Sequence, residues 1–233
     1  MNKLSKRLTL ICDLVDGKIV ADVGCDHGKL VRHLLDEQKI DFAYVSDISQ
    51  DSLNKAIILL QKYQGKFKAI CCDGLTKYDN AKIDQCIIAG MGGFEILSII
   101  ENSKIEIPSF VLSPQHDQIE LKKYLLSHNF KITFDIIISD KGKFYNIIKC
   151  EKAKETNSYT EFDLMFGKSN FESPLIDIKD YIDYNLKMLY QIKNNQKTTD
   201  DKVEKNIRLF EKAKKELNYE QNTWISKIRL WVE

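Results

Sequence analysis

The sequence predicts an α/β protein: a mostly parallel, seven-stranded sheet with helices on both faces, ended by an antiparallel hairpin and followed by an α-helical coiled-coil hairpin. Three observations carry this. A glycine turn, Gly24-Cys25-Asp26-His27-Gly28, lies between an apolar run and an amphipathic segment, which reads as strand, tight turn and helix start. Five apolar runs follow one another with helix-period segments between them and no internal repeat, the pattern of a parallel sheet. Two β-rich runs near residue 140 are joined by only Asp140-Lys141-Gly142-Lys143, too short for a crossover helix, so they must pair antiparallel.

Taken in order, residues 2–15 carry Leu4, Leu8, Ile11 and Val15 at helical spacing and stop at Asp16-Gly17. The first strand covers 18–23, and the helix after the glycine turn runs to about residue 37. The second strand, 41–47, ends on Asp47, followed by Ile48-Ser49 and a helix over 50–63. The third, 66–72, ends at Asp73-Gly74. The fourth, 83–89, enters Gly90-Met91-Gly92-Gly93 and a helix from about residue 94. The fifth, 109–112, runs into Ser113-Pro114-Gln115-His116-Asp117 and a helix holding Ile119, Leu121, Tyr124 and Leu125. Runs 131–139 and 144–150 form the hairpin.

After about residue 152 the period changes, and the domain boundary is placed at 155, giving domains 1–155 and 156–233. Residues 159–174, with Gly167 and Pro174, read as a mixed connector. Leu175, Ile178, Ile182, Leu186, Leu189 and Ile192 mark a helix, residues 194–199 a polar break, and Asp200-Asp201 a cap. Val203, Phe210, Leu217, Trp224 and Trp231 then recur every seven residues, supported by Ile207 and Ile228, a coiled-coil seam in which the tryptophans are read as core.

Composition narrows the function. A net charge of +1 does not mark a nucleic-acid binder, so any RNA surface must come from local clustering. The six cysteines have no C-x-x-C spacing and fall mostly in apolar runs, which predicts reduced, buried thiols and no metal. No run of about eighteen apolar residues occurs. The N-terminal residues lack the pattern of a signal peptide, so a cytoplasmic protein is expected.

The terminal hairpin resembles the sheet ending of class I methyltransferases, which have a Rossmann-like fold and bind S-adenosylmethionine; dehydrogenases of related fold lack it. Open α/β sheets bind ligands at the carboxyl ends of their strands. On that view Gly24 and Gly28 open the floor for the methionine part of the cofactor, and Asp22 holds loop amides. Asp47 accepts from two ribose hydroxyls, Ile48 packs on adenine, and Asp73 accepts from the adenine amino group. Each acid alone is as ordinary as a helix cap or turn residue; three ending consecutive strands point to a ligand. A dinucleotide is disfavoured because G-x-G-x-x-G is absent: Asp26 stands where the second glycine belongs and would repel a pyrophosphate. A sulfonium tolerates it.

Leu4-Ser5-Lys6-Arg7-Leu8, Ala21-Asp22-Val23-Gly24-Cys25-Asp26-His27-Gly28, Ala89-Gly90-Met91-Gly92-Gly93 and the helical hairpin together resemble the bacterial tRNA (adenine-22-N1)-methyltransferase family. The resemblance implies methyl transfer from S-adenosylmethionine to N1 of an adenine in tRNA, with S-adenosylhomocysteine as product. It implies a catalytic rim of Asp26, His27 and Gly92. Cys25, Gly74, Gly90 and Met91 join the cofactor residues, and Arg7 and Gln115 are substrate-binding. Where the family has Pro-Asn this chain has Pro114-Gln115, one methylene longer. The expected partner is tRNA, with no membrane and no metal, and the expected state a monomer or weak dimer. His33, His116 and His128 receive no role. Two alternatives stay open: a methyltransferase acting on protein or a small molecule, and a non-catalytic RNA-binding scaffold.

Overall fold

The computed structural model describes residues 4–79, 81–172, 176–195 and 200–232, without the side chains of 176 and 218–232. The chain forms two compact units. One comprises Met1–Phe134 with Tyr145–Ser158, the other Asp135–Phe144 with Tyr159–Glu233, so the tip of the hairpin belongs with the helices.

In the first unit, α1 (Lys6–Leu14) begins later than its apolar spacing predicts because Ser5 caps it, its hydroxyl accepting from Leu8 N at 3.4 Å. There follow β1 (Ile19–Val23), α2 (Lys29–Asp36), β2 (Phe42–Asp47), α3 (Gln50–Leu60, extended by one 3-10 turn) and β3 (Phe67–Cys71). The rest of the sheet domain is β4 (Gln85–Ala89), α4 (Gly93–Glu101), β5 (Ser109–Ser113), α5 (Gln118–Ser127), β6 (Phe130–Asp140) and β7 (Lys143–Lys152). The seven strands lie in the order β3-β2-β1-β4-β5-β7-β6. The first five are parallel, and β7 runs antiparallel to β5. The described residues between β3 and β4 are turns rather than a helix, anchored by buried Leu75 and Tyr78.

Val20, Ala21, Val45, Ile87, Ile88, Val111 and Leu112 are fully or almost fully buried, as central strands covered on both faces require. Each large one contributes about 1.5–3 kcal/mol by leaving water. From β1 the chain winds outward through β2 to β3, then returns to the other side of β1 for β4 and β5. The segments that follow β1 and β4 therefore lead away in opposite directions, which opens a crevice at the carboxyl ends of these two paired strands.

In the second unit the predicted connector contains two short helices, α6 (Glu161–Phe166) and α7 (Ser169–Glu172). The reason is local: Thr160 and Asp163 form a capping box, and Phe162 and Phe166 turn inward. α8 (Ile176–Asn195) and α9 (Asp201–Val232) complete the hairpin. Ile178, Ile182 and Leu186 pack with Phe210, Ala213 and Leu217, and Ile137 from the strand tip joins the same core. Ile192, expected in the seam, is 42% exposed because it falls outside the buried stripe. Leu175, Pro174, residues 196–199 and the side chains of Trp224, Ile228 and Trp231 lie outside the described residues.

Candidate active site

At the end of β1 the chain makes three left-handed steps, at Gly24 (φ 73°), Asp26 (φ 47°) and Gly28 (φ 68°). What holds this turn is the end of β2. The amides of Gly24 and Cys25 both donate to the Ser46 carbonyl at 2.9 Å. The Asp47 carboxylate accepts from Asp26 N at 3.1 Å and from Ser49 N at 2.9 Å, tying the turn to the start of α3. Asp22, expected to hold loop amides, accepts from none among the described residues; Asp47 does that work.

The turn after β4 is clamped against the segment after β5. Gly90 N donates to Ser113 O at 3.1 Å, Gln115 N to Met91 O at 2.9 Å and Gly93 N to His116 O at 2.9 Å. The Gln115 side-chain amide donates to Gly90 O at 2.6 Å. The two turns meet at Gly24, where a Cβ would come within 2.3 Å of Met91 Cε. A side chain there is disfavoured by φ, whereas the contact falls on the end of the flexible Met91 side chain, which can turn aside.

Between the strand ends lies a cavity of about 500 Å³. Gly24 forms its floor, Asp47 and Ile48 one wall and Asp73-Gly74 the next; Gly90 and Met91 close the far side with Glu95, Ser98 and Ile99 of α4. Among the described residues its wall carries three carboxylates and no lysine, arginine or histidine. A phosphate would meet only negative charge there, whereas a cation or a diol finds acceptors. Ile48 is 73% exposed, an apolar face at the rim for a flat ring to cover.

Of the residues predicted from sequence, Gly24, Asp47, Ile48, Asp73, Gly74, Gly90 and Met91 come together on this cavity. The others do not border it. Gly28 instead lets α2 and α3 approach: a Cβ would sit 3.0 Å from that of Ala56. Cys25 is buried, its thiol pushed up by desolvation and by Asp22. His27 Nδ1 lies 2.6 Å from Asp26 Oδ2, off the line of a good hydrogen bond. The Arg7 guanidinium stacks 4.6 Å from the centroid of Tyr145.

Asp22 lies beneath the floor, and burial followed by the neighbouring Asp47 charge raises its pKa from 3.8 to about 7. An acid whose folded pKa is raised leaves the fold unpenalised below about pH 4, where both states are protonated. The penalty grows between the two pKa values and is complete above about 7. Asp22→Asn is therefore expected to stabilise the ligand-free protein at pH 8 by about 2–4 kcal/mol, with the advantage gone at pH 4. Urea denaturation at the two pH values measures this; an equal effect at both contradicts it.

Residues 4–148 match the family model described as a methyltransferase domain. Over 186 residues the chain is 31% identical to a putative tRNA methyltransferase of Mycoplasma pneumoniae, covering 76% of this chain and 87% of that protein. The chain belongs to a bacterial tRNA methyltransferase family. It is 25% identical over 171 residues to the tRNA (adenine(22)-N(1))-methyltransferase of Bacillus subtilis, covering 71% of this chain and 72% of that one. The structure of M. capricolum TrmK in complex with S-adenosylhomocysteine superposes with a TM-score of 0.82 at 26% identity, covering 91% of this chain and 98% of that one. The seven-stranded sheet with its antiparallel end is the methyltransferase fold expected of the family.

Several site residues were not picked out by sequence reasoning. Ser46 acts through its carbonyl, which no side-chain pattern reveals. Glu95, whose Oε2 accepts from Gly92 N at 2.9 Å, carries a signal: an acid three residues past the N-cap of a helix is half of a capping box. Ser98 and Ile99 lie on the next turn of the same helix.

Proposed function

We propose that this chain transfers a methyl group from S-adenosylmethionine to N1 of adenine 22 in tRNA, as a cytoplasmic monomer or weak dimer. The observation that carries the reading is the acid-walled cavity at the topological switch point, which accepts a cationic, phosphate-free cofactor and rejects a dinucleotide. S-adenosylmethionine supplies a methyl group on a cationic sulfur, and adenine N1, with its lone pair in the ring plane, attacks it in line with no proton to be removed first.

The residues then have positioning and electrostatic tasks. Gly24 and Met91 shape the floor, Asp47 takes the ribose diol, and Ile48 and Asp73 hold the adenine of the cofactor. The Gly90-Met91-Gly92-Gly93 turn leaves the edge clear for the target base, and Asp26 and His27 are assigned to its far side. N1 belongs to the Watson–Crick edge, so a paired target must leave its stack before reaction. Arg7 and Gln115 are assigned to the substrate side. Gln115 acts chiefly by fastening the turn, since its amide already donates to Gly90 O.

Unmodified tRNA incubated with methyl-labelled cofactor and digested to nucleosides is expected to yield N1-methyladenosine, lost when adenine 22 is replaced. Absence of label from the tRNA rejects the reading. Label transferred to protein or small molecules instead favours the other acceptor classes.

A further inference from the structure

The segment after β5 holds a histidine that none of the assigned roles uses. The ring of His116 packs directly on the α-carbon of Gly92: a Cβ built there would lie 2.4 Å from Cε1 and 3.0 Å from Nε2. Its backbone is fixed to the same turn by the bond from Gly93 N to His116 O. Yet the side chain is 67% exposed, so burial does not explain its placement. Its Nδ1 lies 2.5 Å from Asp117 Oδ2.

Asp117 is unusual in two ways. It stands at the N-cap of α5, where an aspartate ordinarily accepts from the helix amides, but its side chain makes no capping bond. It is also a non-glycine residue in the left-handed region, at φ 57°. The local backbone is thus held in a costly conformation with the carboxylate turned toward the imidazole. A carboxylate on Nδ1 selects the tautomer with hydrogen there, which leaves Nε2 as a hydrogen-bond acceptor beside the turn.

We propose that His116, oriented by Asp117, is a specificity-determining residue: its Nε2 accepts a hydrogen bond from the exocyclic N6 amine of the target adenine. This rests on the adenine N1 reading above. Adenine pairs an N6 donor with a free N1 lone pair, so an acceptor beside the turn reads the amine without touching the nucleophile. Guanine and hypoxanthine present an oxygen at that place, lone pair against lone pair, and carry hydrogen on N1. A site built to bond a substrate amine rejects bases that lack it because its own acceptor is left unpaired. The neighbouring Phe94, 59% exposed one residue past Gly93, offers a face for the same base without contributing to this discrimination.

The test uses tRNA assembled by ligation with adenine or purine, which lacks the amine, at position 22, and compares kcat/KM for the wild type, His116→Ala and His116→Gln. Purine is intrinsically the poorer nucleophile, so the readout is the change in the adenine-to-purine ratio. His116→Ala is expected to lose about tenfold to a hundredfold on adenine and little on purine. His116→Gln, which keeps an acceptor, recovers part of the adenine rate, and S-adenosylhomocysteine binding stays within about threefold in both variants. Equal losses on the two substrates, or loss of cofactor binding, make His116 a packing residue and overturn the inference while leaving the methyltransferase reading intact. A wild type that labels neither RNA overturns both.

Discussion

Asp47→Ala is expected to weaken S-adenosylhomocysteine binding at least a hundredfold. Its carboxylate already accepts from Asp26 N and Ser49 N, one on each oxygen, and so fixes the glycine turn relative to α3. Each oxygen keeps a second acceptor position for a ribose hydroxyl at the cavity wall. The substitution removes both sets of bonds. Hydrogen bonds to a charged group contribute about 1.5–3 kcal/mol each, and 1.4 kcal/mol is tenfold in affinity. Losing the two ribose bonds alone therefore accounts for two to four orders of magnitude, before any loosening of the turn. Asp47→Asn retains one acceptor oxygen and should fall between. Asp73→Ala removes a carboxylate that no loop amide among the described residues uses and should cost about tenfold. Titration calorimetry of the three variants orders them; an Asp47→Ala affinity within threefold of wild type rules out the assigned role.

Gly93→Ala is the second large effect, and its sign is opposite to the usual one. Glycine to alanine within a helix ordinarily stabilises by up to about 1 kcal/mol. Here the added Cβ would sit 2.4 Å from the carbonyl oxygen of Asp117 and 2.8 Å from its carbonyl carbon. Both are backbone atoms in the segment that the Gly93 N to His116 O bond holds against α4. No rotamer change relieves that contact, so α4 must separate from the segment after β5. Overpacking of this kind costs about 1–3 kcal/mol or more. The variant is expected to unfold at lower urea and to lose methyl transfer along with it, because the turn at the target-base edge moves. Gly65→Ala, at φ 85° with nothing within 4 Å, separates backbone strain from contact: it is expected to lose about 1–2 kcal/mol of stability and to retain activity. A Gly93→Ala protein as stable as wild type contradicts the contact.

Much of the fold was legible because parallel strands buried on both faces are nearly continuous apolar runs, and because four residues between two β-rich runs allow only a hairpin. The strand-end acids were legible for the same reason: a strand that ends sharply puts its next residue at the sheet edge. Three features were hidden. The helices over 161–172 are short, and their capping box was visible but lay in a segment that contains Gly167 and reads as connector. The loop amides fall to Asp47 rather than to Asp22 because which carboxylate reaches them depends on where β2 ends beside β1, a register that a single strand cannot reveal. His116 carries no signal of its own because its partners, Gly92 and Asp117, lie respectively in the turn after the neighbouring strand and in an unusual backbone conformation, and neither is visible in one stretch of sequence.

The β6–β7 hairpin has a consequence for how this protein can be taken apart. Ile137 belongs to the hydrophobic core that Phe162, Phe166, Ile178 and Phe210 build, and Phe144 packs against it, although both lie in the hairpin strands. A gene cut after residue 155 would deliver the helices without two of their own apolar residues and leave those residues stranded on the hairpin strands of the other fragment. The helical unit is therefore not a detachable tail. A transplant of it between relatives has to carry the hairpin tip along, as two separate pieces of coding sequence exchanged together.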